Sequence, residues 1–211
     1  MDRCRGAEQL RSGSIALPVV EPDSCNVMIA FLRSRFTALF LAAFLVPLPS
    51  AGQAFFADDG HVEFLSNVPL HSFVGASDQL VGKIDLSERT VDFYVDLNTL
   101  DTGNGKRDKD MRKTLETDDF PFAEFFGSLV TAVDPQVTGA QEVEVEGEFT
   151  IHGVTRPVRV PGTITFADGA MRVEASWILS LDDYDIEPPS LLILKVDEEQ
   201  EISFDILLKP E

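Results

Sequence analysis

From residue 62 to the C-terminus, apolar side chains recur at every second position, and a period of two commits a chain to strands with one buried face. Val91, Phe93, Val95 and Leu97 alternate with Asp92, Tyr94, Asp96 and Asn98. Val143, Val145, Gly147, Phe149 and Ile151 alternate with Glu144, Glu146, Glu148 and Thr150. Met171, Val173, Ala175, Trp177, Leu179 and Leu181 stand against Arg172, Glu174, Ser176, Ile178 and Ser180, and Ile202, Phe204 and Ile206 stand against Ser203 and Asp205.

Turn residues punctuate these runs. Asp168-Gly169 between Phe166 and Met171 reads as a two-residue hairpin loop, which pairs Ile164 with Val173 and Phe166 with Met171. His152-Gly153-Val154-Thr155 turns one strand into the next. Pro161 within that next strand predicts an edge or a bulge, because proline has no N–H to give a ladder. Seven or eight strands at this spacing predict an all-β sandwich or up-and-down barrel.

One segment breaks the alternation. Residues 106–115 are good helix formers without a strand pattern, which predicts a short helix between Thr102 and Asp119. Met111 and Leu115, four apart, share a face suited to covering a barrel mouth, while Lys106, Lys109 and Lys113 share another. Asp108 and Asp110 read as balancing charges on a solvated face.

The first 54 residues read as processing sequence. Met28 opens a second start, Arg33 and Arg35 supply a charged region, residues 36–48 are apolar apart from Thr37 and Pro47, and residues 50–54 are mostly small, the pattern of a Sec-type signal peptide over 28–54. An apolar run of 13 residues falls short of the roughly 20 a spanning helix needs. Residues 1–27 are an extra leader or a misassigned start. The exported part, 55–211, is one domain, expected in a periplasm or in the medium. Both cysteines, Cys4 and Cys25, lie upstream of it, so its stability comes from packing without a disulfide.

The leader holds five of the 17 basic and four of the 36 acidic residues, which leaves 12 against 32 and a net charge of −20 in 55–211. Nucleic acid is repelled by such a chain, and so are bare anionic lipid surfaces. Five of the 12 basic residues fall within 106–113. That run is a solvated helix face or a positive patch at a cavity mouth, able to meet a phosphate or carbonyl head group.

Catalytic parts are sparse, and the chain reads as a non-enzyme. His152 lies in a turn, and His61 and His71 are ten apart, no recognised metal spacing. Asp182, Asp183, Asp185 and Glu187, and the run Asp197-Glu198-Glu199, could hold a hard cation but lack the calcium-loop pattern. No metal site and no cofactor are predicted, and a metal-dependent hydrolase is the least favoured reading. The inward aromatic residues Phe93, Phe125, Phe149, Phe166, Trp177 and Phe204 form either a plain core or, in a closed barrel, the lining of a pocket. A fully packed interaction module remains open at this point.

Phe149-Thr150-Ile151-His152-Gly153-Val154-Thr155-Arg156-Pro157-Val158 resembles the LTIHGVT+PV signature of the YceI-like proteins, with Phe149 for the leading Leu. Leu100-Asp101-Thr102-Gly103 with Arg107-Asp108 resembles that family's TG…RD run, and Phe120-Pro121 followed by Phe125 its YP…F element. The likeness covers roughly 62–209. It implies a lipocalin-like, eight-stranded antiparallel β-barrel with a short covering α-helix, holding a polyisoprenoid such as an isoprenoid quinone. On that footing Phe93, Val95, Leu97, Met111, Phe125, Phe149, Ile151, Ile164, Phe166, Trp177, Leu179, Phe204 and Ile206 are expected to line the cavity. Lys106, Arg107, Lys109 and Lys113 are expected near the head group, and transient membrane contact would accompany loading. The chain departs from the family at Leu181-Asp182-Asp183-Tyr184-Asp185-Ile186, where an Arg often precedes an aromatic-Gly-Ile element. It departs again at Asp110-Met111, where the family tends to have His or a similar polar residue before an apolar one. With the net charge, these departures imply a neutral quinone or prenol over a prenyl pyrophosphate.

Overall fold

A computed structural model describes residues 54–68, 71–188 and 198–211. The leader expectations for 1–27 and for 28–53, and the residues Pro189 and Asp197, lie outside them.

Eight strands close into an up-and-down antiparallel barrel in sequence order. They are β1 (Ala54–Val68), β2 (His71–Asp85), β3 (Thr90–Asp96), β4 (Phe122–Leu129), β5 (Gly139–Ile151), β6 (Val154–Ala167), β7 (Ala170–Ser180) and β8 (Glu199–Pro210), and β8 pairs back onto β1. Closure gives every strand two neighbours, so the sheet has no outermost strand. A 3₁₀ turn at Leu97–Thr99 and the helix α1 (Gly105–Thr114) fill the β3–β4 connection, and a second 3₁₀ turn, Asp182–Tyr184, follows β7. The barrel therefore has a helix end, where β3 stops and β4 starts, and a far end, where β1 begins and β8 finishes.

The two hairpin turns take the left-handed backbone that two-residue loops require: Asp168 and Gly169 at φ 53° and 79°, His152 and Gly153 at φ 55° and 73°. Ile164 pairs with Val173 and Phe166 with Met171, as the turn chemistry predicts. Pro161 falls on a local edge within the closed barrel, as the sequence predicts. It stands one residue before the β6–β7 ladder begins at Gly162 opposite Ala175, so no rung of that ladder needs its N–H. From Val154 to Pro161 the strand β6 is paired with β5 but not with β7.

The first strand is longer than its sequence pattern suggests. Register shifts between Ala57 and Gly60, and between Gly60 and Val62, break its alternation, so 54–61 carries no clean period of two. Asp108 differs from expectation in a second way. It does not sit on the solvated face of α1 but is buried, its carboxylate accepting from Thr102 N at 2.9 Å and Thr102 Oγ1 at 2.6 Å.

The most deeply buried apolar side chains, Ile84, Val91, Ile164, Met171, Ile206 and Leu208, all lie in the far half. Phe55 and Phe166 meet edge to face there at 6.0 Å. Arg89 ties the β2–β3 turn to β4 by donating to Leu129 O and Val130 O, both at 2.7 Å.

Candidate functional site

Above that packed base the barrel is hollow. A cavity of about 520 Å³ runs from Ile84, Val91, Leu129 and Ile164 up to α1, within the range that holds small-molecule ligands. Its wall contains Phe93, Val95, Leu97, Phe125, Phe149, Ile151, Ile164, Trp177, Leu179 and Phe204, and Met111 from the helix. Leu97 reaches it from the 3₁₀ turn instead of from a strand.

Phe166 and Ile206 are placed elsewhere. Both belong to the base: Phe166 packs on Phe55, and Ile206, 1% exposed, fills the space left by two glycines. A Cβ at Gly60 would lie 2.6 Å from Ile206 Cδ1, and one at Gly82 would lie 2.3 Å from Phe93 Cε1. Missing side chains on the inner face thus let neighbouring ones lie against the wall. The cross-strand pair Gly127 and Gly147 does the same for the Phe125 ring, whose Cζ would be 2.8 Å from a Cβ at either position.

The mouth is built by α1. Asn104 caps the helix, its side chain accepting from Lys106 N and Arg107 N. The Asp108 to Thr102 bonds fasten the first turn to the preceding loop, and Ala76 and Asp101 exchange backbone bonds of 2.9 Å that fasten this loop to β2. These contacts supply a physical reason for the Thr102-Gly103 and Arg107-Asp108 motif. Both bonds from Thr102, with the nearby Arg112 and Arg107 charges, hold the Asp108 carboxyl below the usual carboxylate range. So fixed, the helix turns Met111 and Leu115 into the cavity. Lys106, Arg107 and Asp110 also reach its wall, and the Arg107 guanidinium lies 4.2 Å above the Phe73 ring. Lys109 and Lys113 are exposed and stand outside the cavity wall.

The other two motifs meet at the same end. His152 Nδ1 is 3.1 Å from Tyr184 O, and its ring packs edge-on against Phe120 at 5.8 Å. Phe120 in turn covers Gly153, where a Cβ would fall 2.6 Å from its ring. The hairpin, the segment after α1 and the turn after β7 are thereby joined through one imidazole, which makes His152 a structural joint. Asp185 takes φ 54°, a left-handed conformation that costs glycine nothing, at the position where the family often has Gly. Leu181, Ile186 and Pro188 of this region line the cavity, and Tyr184 is buried against Phe149 at 5.7 Å.

His61 stands apart, its Nδ1 2.6 Å from Asp78 Oδ1 on the outside of the barrel. Asp182, Asp183, Asp185, Glu187, Glu198 and Glu199 are exposed or nearly so, and among the described residues no three His, Asp or Glu side chains gather closely enough to hold a metal.

Sequence reasoning missed Phe64, Phe73, Ser66 and Gln200, all of which line the cavity. The last two carried a readable signal, since each places a polar residue at an inward position: Val62, Phe64, Ser66 on β1 and Gln200, Ile202, Phe204 on β8.

A family model described as YceI-like domain matches residues 57–208. Among solved structures the chain is similar to a polyisoprenoid binding domain from Saccharophagus degradans implicated in plant cell wall breakdown, at 19% identity over 76% of this chain and 99% of that one, with a TM-score of 0.65. It is also similar to BcnA of Burkholderia cenocepacia, at 17% identity over 71% of this chain and 95% of that one, with a TM-score of 0.59. Identities this low speak for the fold alone. A comparison with curated proteins finds no match.

Proposed function

The chain belongs to the YceI-like family, and from that premise we propose that it is an exported, non-catalytic carrier that holds a neutral isoprenoid lipid, a quinone or a prenol, in its barrel. The observation that carries this reading is the continuous apolar cavity between the packed base and α1. A folded protein gives up the dispersion contacts of every atom lining a hollow, so a hollow of this size is kept for an occupant. Each methylene of a prenyl tail taken from water is worth about 0.8 kcal/mol, and a crossing between membranes exposes the whole tail unless a carrier shields it.

Two observations favour a neutral head group. Leu181, in the stretch where the family often carries an Arg, is an apolar part of the wall, and the domain as a whole is strongly acidic. The competing reading, a prenyl pyrophosphate, draws on Lys106 and Arg107 at the mouth, but Asp110 lines the same mouth and opposes an anion there. Neither nucleic acid nor a cofactor is part of the proposal. The carrier would touch a membrane briefly to load.

Mass spectrometry of an organic extract of the purified protein tests this directly, with a quinone or prenol as the expected species. A pyrophosphate lipid would overturn the neutral head group. No prenyl lipid, together with no rise in Tm on adding a quinone, would overturn the carrier itself. Export is tested separately by N-terminal sequencing of the protein from a periplasmic or medium fraction, which is expected to start near Phe55.

A further inference from the structure

An apolar side chain that stands alone on the outside of a protein needs no explanation, but several together do. The outward positions of β3 and β4 carry Tyr94, Phe122 and Phe126, which are 41%, 41% and 62% exposed. The register makes them one patch. Tyr94 stands opposite Glu124, so Phe122 and Phe126, two residues to either side of Glu124, are its diagonal neighbours, within reach of an aromatic ring. The Tyr94 and Phe122 rings meet edge to face at 5.9 Å. With roughly 200 Å² to a whole aromatic side chain, the three leave on the order of 300 Å² in water, the size of patch that marks a working surface on a monomer.

The frame around this patch is acidic. Phe126 stands between Asp92 on β3 and Glu148 on β5, and Glu124 lies between the two phenylalanines. Asp96 stands opposite Phe122. None of Asp92, Glu124 and Glu148 takes part in an ion pair among the described residues, whose pairs involve His61, Lys83, His152, Arg159 and Arg172. Lys83, the basic residue beside Asp92, is engaged by Glu211 at 2.6 Å.

That frame selects the partner. Aromatic residues that seat a protein in a bilayer surface work beside Lys or Arg, which meet anionic head groups, whereas the flanking groups here are carboxylates. A second copy in two-fold contact would lay the same carboxylates against each other. A protein surface with an apolar centre and Lys or Arg around it matches on both counts. Its apolar side chains cover the rings, its cations pair with Asp92, Glu124 and Glu148, and an arginine can also lie over a ring face. Position adds a consequence. β4 begins with Phe122 at the helix end, one residue after Pro121, whose carbonyl accepts from Leu97 N at 2.8 Å, so the patch runs up to the connection that carries α1. We infer that the outer face of β3 and β4 is a docking surface for a cationic partner protein, seated beside the cavity mouth. An apolar centre of this size suits a transient contact, below the area of a permanent complex. The inference goes beyond the carrier reading and stands whatever the barrel holds.

Three probes test it: a short peptide alternating arginine and leucine, the same peptide with glutamate for arginine, and vesicles of phosphatidylcholine and phosphatidylglycerol. Each is titrated into the isotopically labelled protein at about 0.15 M salt, where attraction to the net charge at long range is screened, and amide NMR locates the contact. The arginine peptide is expected to shift amides of β3 and β4 around Tyr94 and Phe126, and the other two probes to leave them in place. Phe122→Ser and Phe126→Ser should each weaken the arginine peptide roughly 3- to 10-fold, and Ile178→Ser, 57% exposed on β7, should change it less than about twofold. Glu124→Gln should weaken it and flatten its salt dependence. Shifts spread evenly over the acidic surface, shifts absent from β3 and β4, or an equal loss in Ile178→Ser would each overturn the docking surface. Vesicles that shift the same amides would make the face a membrane contact, and a concentration-dependent dimer abolished by Phe126→Ser would make it a self-contact. Either result overturns the cationic partner. None of these outcomes bears on the cavity, so the carrier reading stands or falls separately, on its own lipid extract.

Discussion

The two ends of the barrel are made from the same alternating strands but are put to opposite uses. At the far end, Met171, Ile206 and Leu208 interlock with Phe55 and Phe166 into a solid base. At the helix end, Phe64, Trp177, Ile202 and Phe204 are only partly buried and face a hollow, and the three buried side-chain atoms without a hydrogen-bond partner among the described residues, Ser66 Oγ, Trp177 Nε1 and Arg112 Nε, are found there. Alternation decides which side chains point inward. Whether those side chains fill the interior or line it depends on their size, on the glycines opposite them, and on what closes each end.

That contrast can be broken first by truncation. Leu208→Ala, fully buried and outside the cavity wall, should open a new void and cost about 2–5 kcal/mol in urea unfolding. Ile202→Ala, on the cavity wall, enlarges a void that already exists and should cost less than half as much. Equal losses would mean that the two ends are packed alike.

A smaller effect should separate α1 from the barrel it covers. The Asp108 carboxyl is held below its ordinary pKa by its bonds to Thr102, so its contribution is complete above about pH 4 and fades as pH falls through the lowered value. Amide hydrogen exchange in α1 should therefore accelerate on acidification before exchange in β7 and β8 does, and Asp108→Asn should produce the same loosening at neutral pH. Uniform acceleration along the chain would contradict this order.

The smallest effect belongs to the outer surface. Asp78, and more weakly Glu63, raise the His61 pKa above its ordinary value, against a smaller opposing effect of burial. The pair's contribution is present below about pH 6.5 and is lost as pH rises through the raised value. His61→Gln should remove a slight pH dependence of Tm in that window and leave ligand binding at the helix end untouched. The imidazole is about half exposed, so solvent screens the pair.

Legibility followed the distance over which each feature is determined. The hairpin at Asp168-Gly169 was readable with its register and the turn at His152-Gly153 by its position, because two adjacent residues set each turn. The helix was readable from 106–115 for the same reason. The first half of β1 was not, since its bulges at Ala57 and Gly60 make sense only against partners such as Asp85 and Lys209 far along the chain. Phe166 and Ile206 were expected in the cavity because their pattern matches that of Phe149 and Phe204; what separates them is height in the barrel, which strand alternation does not encode. Asp108 looked like a surface charge because its partner, Thr102, is recruited by a loop and not by helical spacing. Ser66 and Gln200 were missed although each interrupts an apolar inward row, a signal that becomes visible when polar residues are sought at inward positions.

The ladders of the barrel are not continuous around both ends. β2 and β3 are paired over Val81 to Asp85 alone, and β6 and β7 over Gly162 to Ala167 alone, so toward the helix end two seams have no row of rungs. They are spanned instead by the Ala76 to Asp101 bridge and by bonds from His152 and Arg156 to the turn after β7. A hoop with every rung in place has a fixed girth, whereas one laced at two points by a few bonds can widen for the cost of those bonds. On the carrier reading, the packed side chains of the base set how far a tail can descend, and the sparsely laced rim is where the breadth of an occupant would be taken up. Such a vessel is strict about length and lenient about width.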